Sequence, residues 1–140
     1  MAEKNFKTLS SSNMSILIKD FMSTPVTTCT IDADVGRVRD IMKLKGFSAL
    51  PVVKVESDVP NIRGIVTYRD IAGVYDDNVS VKQVMTEKVR VVQADTTARK
   101  SAEIMQQSGI HHLVVIDDNR IIGMASAADF VGLVATHTLV

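Results

Sequence analysis

The stretch Gly64-Ile65-Val66-Thr67-Tyr68-Arg69-Asp70 decides the fold of this chain, because it recurs later as Gly123-Met124-Ala125-Ser126-Ala127-Ala128-Asp129. Each copy has a glycine, two apolar residues, a hydroxyl residue, two variable residues and an aspartate. A hydroxyl residue followed three positions later by an acid is typical of a helix start, and apolar residues before it are typical of a strand. The stretch therefore predicts a strand that runs into a helix, twice.

The duplication extends well beyond these two stretches. Residues Ile18–Ser23 match Val81–Thr86, and the correspondence continues at constant spacing as far as Val52 and Val115. The spacing then shortens, which we attribute to a longer loop, Glu56–Asn61, in the first copy. Internal repetition on this scale predicts two copies of one structural unit.

Within each copy the hydrophobic pattern changes from a helical period to that of strands. In the first copy we expect a helix at about 35–45 between an Asp34 cap and Gly46, strands at 50–55 and 62–66, and a short helix at 67–74. In the second copy we expect a helix at about 98–108, strands at 113–116 and 121–125 around a tight turn, and a last helix at 127–135.

The expected fold class is α/β, of the mixed α+β kind. Two pseudo-symmetric β-α-β-β-α repeats are expected to pack through their sheets into one globular module, since one repeat of about 60 residues buries too little surface alone. We place the first repeat at residues 16–75 and the second at 79–135, with a flexible arm at 1–15 and a short tail at 136–140.

Composition limits the class of protein. The 140 residues are 46% hydrophobic and carry 16 acidic and 16 basic side chains. This predicts a soluble folded protein without nucleic-acid or membrane partners. No apolar run reaches the roughly 20 residues of a membrane-spanning helix. The single cysteine, Cys29, cannot form an internal disulfide, and the chain before Ile16 is too polar for a secretory signal, so we expect a cytoplasmic protein.

Three segments of each copy together resemble a tandem pair of CBS domains, the regulatory unit also called a Bateman module. The first segment is Met22–Val26 and Met85–Val89, the second is Phe47–Val53 and Ile110–Ile116, and the third is the glycine-to-aspartate stretch. The resemblance covers nearly everything from Ile16 to about Ala135.

This resemblance implies a regulatory, non-enzymatic module with no obligatory cofactor. Such modules bind adenosine-containing ligands, namely AMP, ADP, ATP or S-adenosylmethionine, in two clefts between the repeats. Family members commonly form homodimers. We therefore expect a homodimer that senses a nucleotide and signals to a separate protein target, whose identity the sequence does not indicate.

The resemblance also assigns residues to the ligand. The ribose hydroxyls fall to Asp70 and Asp129, the phosphate to Thr67 and Ser126, and the adenine to the apolar residues Ile62, Val66, Ile121 and Ala125. Further candidate contacts are Ser23, Ser48, Arg69, Thr86, His111 and His112, with Ser23 and Thr86 each serving the other copy's aspartate. Adjacent strand residues point to opposite faces, so the two histidines do not predict a metal site.

The chemistry of these residues fits both a ligand site and a purely structural role. A carboxylate only accepts hydrogen bonds, which suits a ribose diol, and free N–H groups at a helix start favour an anion. Gly64 and Gly123 would let a ligand approach the backbone. The same spacing of Thr67 and Asp70 is, however, a helix capping box that needs no ligand. The alternative function is therefore a structural or protein-interaction module with unoccupied clefts.

Several remaining residues have ordinary structural interpretations. Methionines recur at equivalent positions of the repeat, which predicts core packing; they are Met22, Met42, Met85 and Met105. Four basic residues of the first helix are expected to form its solvated face; they are Arg37, Arg39, Lys43 and Lys45. Cys29 is expected on a strand.

Overall fold

A computed structural model describes residues 15–136 of the protein. The predicted arm and tail, except Ser15 and Thr136, lie outside the described residues. Within this range a short 3-10 helix (Ile18–Asp20) is followed by β1 (Cys29–Thr30), α1 (Val35–Lys45), β2 (Ala49–Glu56), β3 (Val59–Thr67), α2 (Tyr68–Ile71), α3 (Val81–Val84), β4 (Val91–Gln93), α4 (Ala98–Ser108), β5 (His112–Asp117), β6 (Arg120–Ser126) and α5 (Ala127–Thr136). Their order confirms the mixed α+β class.

The strands form two three-stranded sheets of the same design. One has the order β1-β2-β3 and the other β4-β5-β6. In each sheet the central strand is parallel to the first strand and antiparallel to the third. The strand, helix, strand, strand, helix order predicted for each copy is therefore confirmed.

The described residues group into two compact units, which do not coincide with the sequence repeats. The β1–β3 unit comprises residues 27–89, and the β4–β6 unit comprises residues 15–26 together with residues 90–136. The opening segment of each repeat thus packs in the unit that contains the other copy's sheet. The repeat boundaries at 16–75 and 79–135 describe the duplication and stay a prediction.

The two long helices begin and end at the predicted residues. The Asp34 side chain accepts a hydrogen bond from the Arg37 N–H at 2.9 Å and so caps α1. Gly46 ends α1 in the left-handed conformation, with φ of 71°. Thr97 caps α4 in the same way, and Gly109 ends it with φ of 64°. A residue without a Cβ adopts this conformation at no steric cost, which explains why glycine stands at both ends.

The predicted loop at Glu56–Asn61 is wrong, because most of it belongs to strands. The turn between β2 and β3 contains only Ser57 and Asp58, with φ of 51° and 64°. The turn between β5 and β6 likewise has two residues with positive φ, the geometry that continues the strand twist in a tight hairpin. The extra residues of the first copy lengthen the strands, and Pro60 is accommodated because β3 is an edge strand.

Each unit has its own hydrophobic core. In the β1–β3 unit, Val35, Val38 and Met42 of α1 pack with the central strand residues Leu50 and Val52. In the β4–β6 unit the core contains Ile18, Val92, Ala94, Met105, Leu113, Val115 and Ala125. Fully burying one such valine or leucine contributes about 1.5–3 kcal/mol. The predicted role of the methionines is confirmed, since Met22 and Met85 also pack against these cores.

Arg39 does not belong to the solvated face predicted for α1. Its guanidinium donates to the Asp77 carboxylate at 2.6 Å and to the Ile71 carbonyl at 3.2 Å. It also donates to the Val74 carbonyl. Arg39 therefore satisfies carbonyls at and just after the end of α2, which a short helix leaves unpaired. Helical spacing alone could not identify this role, because the acceptors are distant in sequence.

The helices described for residues 15–136 are all too short or too polar to cross a membrane.

Candidate functional site

The Thr67 and Asp70 side chains form a complete capping box at the junction of β3 and α2. The Thr67 N–H donates to Asp70 Oδ2 at 2.8 Å, and the Asp70 N–H donates to Thr67 Oγ1 at 3.2 Å. Both residues are half-buried. The reciprocal bonds fix the orientation of the carboxylate relative to the strand.

The second copy repeats this geometry at the junction of β6 and α5. The Ser126 N–H donates to Asp129 Oδ2 at 2.8 Å, and the Asp129 N–H donates to Ser126 Oγ at 3.3 Å. The duplication seen in the sequence is thus a duplication of atomic arrangement. The capping interpretation of both pairs is confirmed.

Capping leaves part of each carboxylate available. A carboxylate has two oxygens and about four acceptor sites, and the cap uses only Oδ2 of Asp70 and of Asp129. Among residues 15–136, no protein donor contacts Oδ1 of either aspartate. At each junction, the Oδ1 atom of a half-buried aspartate is therefore held in a fixed position and stays available to accept a hydrogen bond.

The glycine before each box is required by the protein itself. A Cβ at Gly64 would lie 2.6 Å from the Thr86 carbonyl oxygen, and one at Gly123 would lie 2.5 Å from Met22 Sδ. The expectation that these glycines admit a ligand is therefore corrected, because a chain segment already occupies the space beside them.

These neighbouring segments bring two predicted site residues to the strands. The Thr86 N–H donates to the Ile65 carbonyl at 2.8 Å, and the Ile65 N–H donates to the Thr86 carbonyl at 2.9 Å. Ser23 makes the same pair of bonds with Met124, at 2.8 and 3.1 Å. Thr86 thus lies beside the strand that leads to Asp70, and Ser23 beside the strand that leads to Asp129. Both are exposed.

Two other predicted residues approach the helix starts through their backbones. The Ser48 carbonyl accepts from the Tyr68 N–H at 2.8 Å, and the His111 carbonyl accepts from the Ala127 N–H at 2.9 Å. Their side chains are exposed. Because the Tyr68 and Asp70 N–H groups are both bonded, the expected free N–H groups at this helix start are largely consumed. Helix α2 also has only four residues, so its dipole offers little to a phosphate.

The apolar residues assigned to adenine differ in how deeply they are buried. Val66 and Ala125 have no exposed surface and lie in the cores of their units, and their assignment to adenine stays a prediction. Since strand neighbours point to opposite faces, Ile65 and Met124 lie on the other face, where they are also buried, with 6% and 8% of their surface exposed. The sequence signal for these two was their position directly after the glycine.

The remaining predicted residues are more accessible. Ile62, Ile121 and His112 are half-buried, and Arg69 is exposed one position before Asp70. No group of three potential metal ligands occurs among the described residues.

Cys29 lies on β1 as expected and is buried. Burial raises the pKa of its thiol to about 11, because the charged thiolate is poorly solvated there. The thiol therefore stays protonated and weakly nucleophilic near neutral pH.

The two sheet units, each with an aspartate fixed at a strand-to-helix junction, define a tandem-repeat module of the mixed α+β class. The chain belongs to the CBS domain family, whose model matches residues 18–77 and 81–136.

Relatives and solved structures agree with this membership. Inosine-5'-monophosphate dehydrogenase of Methanocaldococcus jannaschii is 33% identical over 115 residues, which are 81% of this chain and 22% of that protein. The chain spans a quarter or less of the length of the first two curated relatives it matches. Only the CBS region of these larger proteins is therefore shared.

Two solved structures share the fold. The CBS domain pair of protein MJ0100, in complex with 5'-methylthioadenosine and S-adenosyl-L-methionine, has a TM-score of 0.75 and 24% identity, and the match covers 86% of this chain and 97% of that one. The CBS domain of a bacterial CNNM/CorC family Mg2+ transporter, in complex with ATP, has a TM-score of 0.74 and 14% identity, covering 88% and 89%.

Proposed function

We propose that this CBS-domain pair binds an adenosine-containing ligand at its two strand-to-helix junctions and regulates a separate protein. The candidate ligands are AMP, ADP, ATP and S-adenosylmethionine. The observation that carries the proposal is the duplicated box in which Oδ2 of Asp70 or Asp129 is held by a backbone N–H while Oδ1 has no partner among residues 15–136.

The fixed carboxylate suits the hydroxyl groups of a ribose. Two O–H donors need an acceptor-only partner, and hydrogen bonds to a charged group contribute about 1.5–3 kcal/mol each. The cap holds the carboxylate in one orientation before ligand arrives, so little side-chain entropy is lost on binding. The exposed hydroxyls of Thr86 and Ser23, on segments beside the two strands, are the candidate contacts for the rest of the ligand.

The fold neighbours support an adenosine ligand by analogy. One was solved with 5'-methylthioadenosine and S-adenosyl-L-methionine, and another with ATP. Their identity to this chain is low, so the analogy supports a ligand class and does not select one member of it.

The two junctions are not chemically equivalent. Arg69 precedes Asp70, whereas Ala128 precedes Asp129. A guanidinium can bind phosphate oxygens in a bidentate manner. We therefore assign the more highly phosphorylated ligand to the Asp70 junction.

Several broader features belong to the same proposal. We assign the protein no catalytic activity of its own, a homodimeric state, a cytoplasmic setting and a protein target that responds to ligand. None of these follows from the site geometry, and each stays a prediction from the sequence.

A thermal-shift screen followed by calorimetric titration tests ligand binding. The panel contains AMP, ADP, ATP, S-adenosylmethionine, NAD and cyclic dinucleotides. Ligand at 100-fold above Kd should stabilise the folded state by about 2.7 kcal/mol. A 2',3'-dideoxy analogue of the best ligand is the matched control, because it lacks the diol that Asp70 or Asp129 is proposed to bind. Equal affinity of the analogue would contradict the ribose assignment.

A second candidate function is a structural or protein-interaction module. One observation favours it: both capping boxes are complete without any ligand. This candidate predicts no thermal shift with any member of the panel, whereas the adenosine proposal requires at least one saturable ligand.

A further inference from the structure

The β1–β3 unit contains a charged cavity that none of the proposed adenosine contacts lines. Its volume is about 230 Å³, and its lining residues are Ile31, Asp32, Lys54, Arg63, Lys82, Met85 and Glu87. One buried water needs a cavity of roughly 10–15 Å³, so this cavity can hold a small metabolite. Its volume is below the usual range for drug-sized ligands.

The cavity presents charges of both signs. Arg63 already donates to Glu56 at 3.0 Å. Among residues 15–136, neither Lys54 nor Lys82 forms an ion pair. The cavity therefore exposes two unpaired ammonium groups and, on Asp32 and Glu87, two carboxylates. These charges line one space without neutralising each other by direct contact.

The backbone places these side chains for a reason. Val52 pairs with Gly64 and Val53 pairs with Ile62, so Arg63 is the extra residue of a β-bulge. A bulge redirects the side chain of its extra residue and is common next to binding sites. Ile31, just after β1, is fixed by its N–H bond to the Val53 carbonyl at 2.8 Å.

The opposite wall comes from the segment after α3. Met85 is extended, with φ of −64° and ψ of 158°, and Thr86 is paired on both sides with Ile65. Side chains alternate along an extended segment, and Met85 and Glu87 line the cavity while Thr86 does not. This wall is therefore held by the strand pairing.

We propose that this cavity binds a small zwitterion of the α-amino-acid class. The ligand carboxylate contacts Lys54 and Lys82, and its ammonium group contacts Asp32 and Glu87. The aliphatic part of the ligand lies against Ile31 and Met85. A simple anion would be repelled by the two carboxylates, and a simple cation would be repelled by the two lysines. A ligand that carries both charges is therefore favoured.

The second copy supports a role beyond folding. The residues at the equivalent positions of the repeat are Ala94, Asp95, Asp117, Ile122, Lys19, Met22 and Thr24. Asp117 replaces Lys54, Ile122 replaces Arg63 and Thr24 replaces Glu87. Thr24 Oγ1 instead donates to the Ile122 carbonyl at 2.8 Å. The same fold forms without the charges of Lys54, Arg63 and Glu87, so these three are not required for folding, whereas Asp95 and Lys19 keep the charges of Asp32 and Lys82.

Calorimetric titration of the full chain with glycine, L-alanine, L-methionine, L-glutamate and L-lysine tests the proposal. Acetate, phosphate and methylammonium serve as single-charge probes. At least one amino acid should bind saturably, and Asp32→Asn and Lys82→Gln should each weaken it about tenfold or more. The matched controls are Asp95→Asn and Lys19→Gln, at the equivalent positions of the other copy, and they should leave the affinity unchanged.

Three results would overturn the proposal: no saturable binding of any amino acid at millimolar concentration, equal binding of acetate or phosphate, or equal weakening by the control variants. Melting curves of the native chain and of each variant verify that the protein titrated is folded. Because none of these probes contains adenosine, the outcome is independent of the proposed nucleotide site.

Discussion

The Asp70 carboxylate accepts a hydrogen bond from the Thr67 N–H, with 2.8 Å between nitrogen and Oδ2. Asp129 has the same relationship to Ser126. One side chain thus has two possible tasks, to cap a helix and to bind a ligand, and substitutions can separate them.

Asp70→Asn should weaken binding of the proposed ligand and leave the fold nearly intact. Asp70 is the third residue of α2 and bonds back to the Thr67 N–H, a bond that the amide oxygen of asparagine can also accept, so the free energy of unfolding should change little. The lost charge should cost about 1.5–3 kcal/mol of binding. Denaturant unfolding and calorimetric titration with the best adenine nucleotide measure the two effects.

Asp70→Ala removes both tasks, and the loss of the hydrogen bond from the Thr67 N–H should lower stability by about 1 kcal/mol. Asp20→Ala is the matched control, because Asp20 Oδ2 accepts from the Leu17 N–H at 2.9 Å outside the repeated box. It should lower stability without changing affinity. Normal binding by Asp70→Asn and the corresponding Asp129→Asn would remove the ribose assignment.

Gly64→Ala and Gly123→Ala should destabilise their units. The new methyl group would meet the Thr86 carbonyl oxygen at 2.6 Å in the first case and the Ser23 carbonyl oxygen at 2.8 Å in the second. Overpacking of this kind costs about 1–3 kcal/mol, measured by denaturant unfolding.

The control for these glycine variants is Gly132→Ala, since a Cβ at Gly132 meets nothing within 4 Å. Gly132 lies inside α5, where alanine should stabilise the helix by about 0.5–1 kcal/mol. If all three variants had the same stability, the close approach of the neighbouring segments would not explain the repeated glycine.

Arg39→Ala should lower the free energy of unfolding more than the same substitution of a neighbouring arginine on α1. The variant loses the Asp77 contact and two carbonyl contacts at and just after the end of α2, and hydrogen bonds involving a charged group are worth about 1.5–3 kcal/mol before solvent screening. Because Arg39 is only partly buried, we expect a loss of about 1–2 kcal/mol.

Arg37→Ala on the same helix is the matched control, because Arg37 is exposed and should change stability by less than about 0.5 kcal/mol. Added salt should reduce the effect of Arg39→Ala by screening the Asp77 pair. Equal losses of stability in the two variants would show that Arg39 is an ordinary solvated residue of α1.

The elements of this fold could be predicted because their signals are local. Asp34 and Gly46 mark the ends of α1, and the repeated stretch marks both strand-to-helix junctions. The loop error at Glu56–Asn61 arose because Pro60 and the polar residues suggested a break. Two residues with positive φ are enough to turn the chain, and no local pattern distinguished them from a longer loop.

The site could be predicted only in part, because its remaining features depend on contacts distant in sequence. The aspartates were identifiable from the repeat, but the side of β3 that Val66 faces is decided by the packing of α1. The cavity near Lys82 joins residues from β2, β3 and the segment after α3, and no spacing in the sequence relates them. Arg39 was misassigned for the same reason.

Cys29 should make stability fall at alkaline pH. Its pKa is raised from 9.0 to about 11 by burial, so the unfolded chain releases this proton at a lower pH than the folded chain. The stabilising contribution is therefore fully present below about pH 9 and is lost as the pH rises towards 11. Chemical denaturation between pH 8 and 11 should show a steeper fall for the native sequence than for Cys29→Ala.

The comparison between these two chains isolates the thiol, because tyrosines and lysines titrate in both. The same burial should make Cys29 react slowly with iodoacetamide at pH 8, and denaturant should accelerate the reaction strongly. Parallel stability curves for the two chains, or rapid alkylation of the folded protein, would show that the Cys29 pKa is not raised. The thiolate would then be accessible in the folded state, which the burial of Cys29 does not allow.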